Sequence, residues 1–118
     1  MSSVTVLEEY MPEIPRMDTR RFKITIRDGN GNLTDPDWVQ LEFKKPGAAD
    51  TPYGPYSAAK ASQGVYCVDF KFPDGTSLGE WIRIWTWMIE IAGAFYPGKY
   101  ESPLHLVDLT EEFDTFGS

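Results

Sequence analysis

The chain has 118 residues, a formal net charge of -7, 42% hydrophobic and 14% aromatic residues. That length suits one domain with a real core, and the aromatic content excludes wholesale disorder. The acidic balance excludes a general nucleic-acid binder and a protein docked on an anionic membrane, and no apolar run approaches the ~20 residues of a membrane helix.

Residues Met1–Arg20 contain Pro12 and Pro15 and show no sustained period. Proline fixes φ and removes a donor, so neither a regular helix nor a central strand fits. The stretch 1–20 reads as an extended N-terminal arm with one short strand over Val4–Leu7. Its apolar residues, Val4, Val6, Tyr10 and Ile14 among them, are too many for a free tail. They are candidate partner contacts, on this domain or on a neighbour. Deleting the arm is expected to spare the fold and weaken assembly. The opening MSSVTVLEEYMPEIP has acids where a secretion signal has cations, so export is not expected.

Residues 21–110 read as an all-β domain. In RFKITIRD, Phe22, Ile24 and Ile26 alternate with charged or polar residues, the pattern of a half-buried strand. It ends in the turn-formers Asp28-Gly29-Asn30-Gly31-Asn32. WVQLEFKK places Val39, Leu41 and Phe43 on one face and stops at Pro46-Gly47. Residues 48–61 read as a loop with a short edge strand near Tyr56–Lys60. GVYCVDFKF alternates Tyr66, Val68, Phe70 and Phe72 against Val65, Cys67, Asp69 and Lys71. GEWIRIWTWMIEIAG is apolar at both parities, which predicts a strand buried on both sides or covered on its second face by the arm. Its tryptophan and β-branched density favours strand over helix. Tyr96-Pro97-Gly98-Lys99 reads as a turn, followed by a last strand from Leu104 to Leu109. Residues 111–118 form an acidic C-terminal tail.

Short strands between Gly and Pro punctuation predict an antiparallel β-sandwich or small barrel. The order of DGNGNLTDPDWVQLEFKKPG, GVYCVDF and GEWIRIW resembles small immunoglobulin-like or fibronectin-like β-sandwich proteins among the structural proteins of tailed bacteriophages. The residues that carry it are Asp28, Gly31, Asp35-Pro36, Val39, Leu41, Pro46-Gly47, Gly64 with Tyr66, and Gly79 with Trp81. It covers about Arg21 to Leu109. The tryptophan-rich Trp81–Ile91 stretch and the proline-containing arm depart from it. The resemblance implies an immunoglobulin/fibronectin-like antiparallel β-sandwich with an extended arm, and a non-enzymatic virion component assembled in the bacterial cytoplasm. The expected role is a capsid decoration (cement) protein, with a neck or tail component as the alternative. The expected partners are phage capsid or neck/tail proteins and further copies of the chain, with no cofactor.

The chemistry-bearing residues are few. One cysteine, Cys67, and one histidine, His105, exclude a disulfide within the chain and leave no Cys- or His-based metal cluster. Cys67 reads as a small hydrophobe and His105 as a structural strand residue. Asp28, Asn30, Asn32 and Asp35 resemble the start of a calcium loop, but Leu33 and Val39 stand where glycine and glutamate are required. Glu8-Glu9 and Glu111-Glu112 read as solvated charge. Trp81, Trp85 and Trp87 read as core or subunit interface, with a sugar-stacking platform in a carbohydrate-binding or adhesion module as the rival. Trp85 and Trp87 are therefore candidate partner contacts. Trp38, just after Asp-Pro, is the first candidate for an interface anchor. Arg83, amid apolar residues, is open to three readings: paired with a buried acid, stacked on an indole, or placed at an edge.

Overall fold

The computed structural model describes residues 4–47 and 52–108. Among these residues all regular structure is strand: β1 (Thr5–Glu8), β2 (Glu13–Pro15), β3 (Arg20–Arg27), β4 (Trp38–Lys44), β5 (Tyr53–Ser57), β6 (Ala59–Ser62), β7 (Val65–Phe70), β8 (Gly79–Ile91) and β9 (Ala94–Val107). Two sheets form, ordered β1-β3-β7-β6 and β2-β9-β8-β4-β5. Neighbours are antiparallel except β2, which runs parallel to β9. The all-β, two-sheet architecture agrees with the sequence expectation at that level.

Period-2 alternation builds the core. Phe22, Ile24 and Ile26 of β3 face Val39, Leu41 and Phe43 of β4, and all six are buried. The sheets meet through rings, with Phe22 and Phe43 edge-on at 5.0 Å and Phe43 and Phe72 at 4.9 Å. Burying each such side chain is worth roughly 1.5–3 kcal/mol. The odd residues of β8 point inward, so Trp81, Arg83, Trp85, Trp87 and Ile89 are buried. On its other face Ile84 is buried, while Ile82, Thr86 and Met88 are half-buried.

Several expectations change. The stretch around Tyr56–Lys60 divides into two strands on different sheets, β5 beside β4 and β6 beside β7. Tyr96-Pro97-Gly98-Lys99 is strand interior, not a turn, and the last strand begins at Ala94 rather than Leu104. The turn is Ala92-Gly93, where both residues have positive φ, 52° and 83°. A two-residue hairpin needs that geometry to match the strand twist. Gly98 belongs in the strand because the Trp87 indole lies over it; a Cβ there would stand 2.0 Å from the ring. Leu109 and the tail 111–118 lie outside the described residues.

The stretch 5–15 contributes strands to both sheets. β1 pairs with β3, and β2 pairs with β9 through bonds that include the His105 amide to the Pro12 carbonyl at 2.8 Å. It lies against the second face of β8 nowhere, because β1 sits in the opposite sheet and β2 on the far side of β9. Ile14 is fully buried.

Candidate interaction surface

A buried polar cluster ties the N-terminal strand to the long hairpin. Glu8 points inward from β1, where alternation pairs it with Ile24. Its Oε2 accepts from Trp85 Nε1 at 2.6 Å, and its Oε1 accepts from the Ser102 hydroxyl. Arg83 Nε lies 3.6 Å from Oε2, with the side chains 3% and 7% exposed. The guanidinium also donates to Ser102 Oγ and to the Pro103 carbonyl, both at 3.1 Å, while buried Nη1 has no partner. Burial lowers the Arg83 pKa, and the Glu8 carboxylate opposes that shift. Of the three readings open for Arg83, the buried acid is the one the structure realises. Glu8 is not solvated charge, because its partners lie 77 and 94 residues downstream and bring it inside. An open cavity of about 430 Å³ adjoins the cluster, lined by Tyr10, Arg83, Tyr100, Ser102 and Leu104 among others.

A second polar cluster holds the loops at one end. The Asp35 carboxylate accepts from Lys60 Nζ at 2.9 Å, the Gly64 amide at 2.8 Å and the Tyr66 hydroxyl at 3.2 Å. The Lys60 bond, then the Gly64 bond, hold its pKa below the ordinary carboxyl range. Burial, aided by the Asp35 charge, pushes the Tyr66 phenol up to about 12. Asp28 Oδ1 accepts from the amides of Asn30 and Asn32 at 2.9 and 3.0 Å, which builds the turn. Of the two acids of the calcium-like stretch, Asp28 thus serves its own turn and Asp35 ties the loop to Lys60, Gly64 and Tyr66. Among the described residues, no group of three or more His, Cys, Asp or Glu could hold a metal ion.

The seven candidate contact residues fall into separate places. Ile14, Trp85 and Trp87 offer no surface to a partner: Ile14 closes one side of the core, Trp85 bonds Glu8, and Trp87 covers Gly98. Trp81 is also interior, its Nε1 donating to the Ser77 carbonyl at 2.8 Å. Val4 and Val6 are half-buried against the core. Tyr10 and Trp38 are exposed, at 83% and 41%. Cys67 is half-buried and His105 exposed.

The surface that sequence reasoning missed is the hairpin end. β4 covers β8 only as far as Met88, opposite Trp38. Beyond it, among the described residues, Ile89–Ile91 pair only with Ala94–Tyr96. Ile91, Phe95 and Tyr96 are exposed there, the last two at 62% and 53%. Ile91 and Tyr96 lie on the inner face and Phe95 on the outer, where a cross-strand row of Trp38, Met88 and Pro97 extends the apolar surface. The one sequence signal was Ile91-Ala-Gly-Ala-Phe95, a two-residue turn flanked by apolar residues.

No family model matches the chain, and a search of curated proteins finds no match.

Proposed function

We propose that this chain is a non-enzymatic structural protein of a tailed-bacteriophage virion, an immunoglobulin-like β-sandwich that acts as a capsid decoration protein. The observation that carries the assembly role is the exposed apolar hairpin end, Ile91, Phe95 and Tyr96, with Trp38 beside its base. Large exposed aromatics clustered at one end mark a contact surface, and Trp and Tyr are enriched among binding hot spots.

The strand order supports the immunoglobulin type. β1, β3, β7 and β6 correspond to A, B, E and D of that fold, and β4, β8 and β9 to C, F and G. The residues that carry the phage resemblance serve the framework, Asp35 binding Gly64 and Tyr66 foremost. The virion role itself rests on that resemblance, by analogy of fold and motif.

The test is copy number in purified particles. Hundreds of copies per particle support decoration. About six or twelve, the multiplicities of a ring, assign the chain to the neck or tail instead. Absence from particles overturns the virion role. The carbohydrate-binding alternative requires coplanar exposed tryptophans, and three of the four are interior.

A further inference from the structure

Among the described residues, β9 has no neighbour on its outer edge before His105, where β2 begins to pair. The β8–β9 register is unbroken from Gly79↔Leu106 to Ile91↔Ala94. The amide of His105 and the carbonyl of Val107 bond outward to the β2 segment. Backbone groups alternate along a strand, so odd-numbered residues point outward along the whole edge. Pro97 and Pro103 both occupy outward positions, where proline removes no ladder bond. The Pro103 carbonyl is taken by Arg83. Between the prolines, Lys99 and Glu101 present free amides and carbonyls. The edge is therefore closed at two points and open between them.

That window, Pro97-Gly98-Lys99-Tyr100-Glu101-Ser102-Pro103, is symmetric about Tyr100. We infer that it pairs with the same window of a second copy of this chain, antiparallel about a twofold axis through Tyr100. In that register Lys99 lies opposite the partner's Glu101, and Glu101 opposite the partner's Lys99. Both are outward-bonding positions, so the two pairs exchange four backbone hydrogen bonds. Proline then faces proline, where no donor is wanted. Lys99 and Glu101 share the outer face and already pair within the chain at 3.1 Å, both exposed. Across the axis the same charges meet in opposite sign, twice, which a twofold contact requires of a self-complementary surface.

The inner side accommodates the contact as well. Tyr100, 37% exposed, lines the cavity beside Arg83, and the axis brings the partner's Tyr100 next to it over that space. The partner's β2 occupies its own edge from His105 onward, so the ladder cannot extend past the prolines. The hairpin end must lift away there, which carries Phe95 and Tyr96 toward the partner's Tyr10–Pro12 segment. Tyr10, the most exposed of the large hydrophobic residues described, waits on that segment.

The contact does not require the virion role, and its test is independent of particle composition. The full chain is examined by sedimentation over a wide concentration range, alongside Lys99→Glu, Glu101→Lys and the double exchange K99E/E101K. Each single change sets like charges opposite each other twice and is expected to weaken the dimer about tenfold or more. The double exchange restores opposite signs and is expected to bring it back to within about threefold of the original. Unchanged circular dichroism and melting points verify the fold of each variant. Amide exchange at Lys99 and Glu101 is expected to slow as concentration rises. A chain that stays monomeric throughout overturns the proposal. So does a dimer indifferent to the single changes, or one that the double exchange fails to restore.

Discussion

The base and the end of the β8–β9 hairpin are the same two strands in one register, yet they meet opposite environments. At the base, β4 flanks β8, β2 flanks β9, and the sheet opposite covers the inner face. Trp81 and Trp85 are almost completely buried there, and even a charged pair, Arg83 with Glu8, is enclosed. β2 flanks β9 only from His105 and β4 stops at Met88; past that point Ile91, Phe95 and Tyr96 are exposed. Apolar residues at alternating spacing do not by themselves make a core. The neighbouring strands do, and where they end the same pattern becomes a surface for something else.

That contrast can be broken most severely from the N-terminus. Deleting residues 1–20 removes Ile14, β1, β2 and Glu8, the acid that pairs with Arg83. An uncompensated buried charge together with an opened core is expected to abolish the cooperative unfolding transition in urea. A truncated chain with an unchanged midpoint refutes the role assigned to this segment. This expectation replaces the one from sequence, in which the arm is dispensable to the fold, because the stretch supplies strands to both sheets.

Glu8→Ala isolates the charge. It strands Arg83, Trp85 Nε1 and Ser102, and a loss of about 3 kcal/mol is expected from denaturant unfolding. Glu8→Gln keeps a hydrogen-bonding group and is expected to cost less. Equal losses in the two variants count against the ion pair as the cause.

The Asp35–Tyr66 contact predicts losses at both pH extremes. The Asp35 pKa is lowered in the folded chain, so its contribution is present above the ordinary carboxyl range and disappears as pH falls through the folded value. The Tyr66 pKa is raised to about 12, so its contribution is present below the ordinary tyrosine value near 10 and disappears as pH rises toward about 12. Tyr66→Phe is expected to cost about 1 kcal/mol at neutral pH and to flatten the alkaline decline. Asp35→Asn is expected to flatten the acid decline. Melting points across pH check both.

The smallest effect on stability belongs to the hairpin end. Phe95→Ser with Tyr96→Ser is expected to change unfolding free energy by no more than about 0.5 kcal/mol, since these side chains are exposed. The same variant is expected to lose incorporation into particles. A large stability loss with normal incorporation reverses the assignment of base and end.

Sequence pattern made β3, β4 and β7 legible, because each has one face inside and alternates accordingly, while β8, apolar at both parities, was legible as strand from its tryptophan and β-branched density. Two features were not legible, for different reasons. Pro97-Gly98 looks like punctuation, but proline at an outward position of an edge loses no bond, and glycine beneath Trp87 is a packing requirement. Glu8 looks solvated because its neighbours in sequence are polar or exposed. Its partners are Arg83, Trp85 and Ser102, and a local reading has no access to so distant a pairing. The interior position of the tryptophans was among the readings open from spacing. The exposed hairpin end was hidden because nothing in the alternation of β8 marks where β4 stops.

The crossing of residues 5–15 from one sheet to the other also governs timing. Glu8 and Ile14 are synthesised well before their partners Ser102 and Leu106. Until β9 exists, the first strands have no place to close, and loop-closure entropy delays contacts of such sequence separation. Closure of the two sheets is therefore expected to occur as one event once β9 has been made. The edge and the hairpin end of β9 become available to any neighbour only at that moment, so the chain cannot offer its contact surfaces before its interior is ready to form.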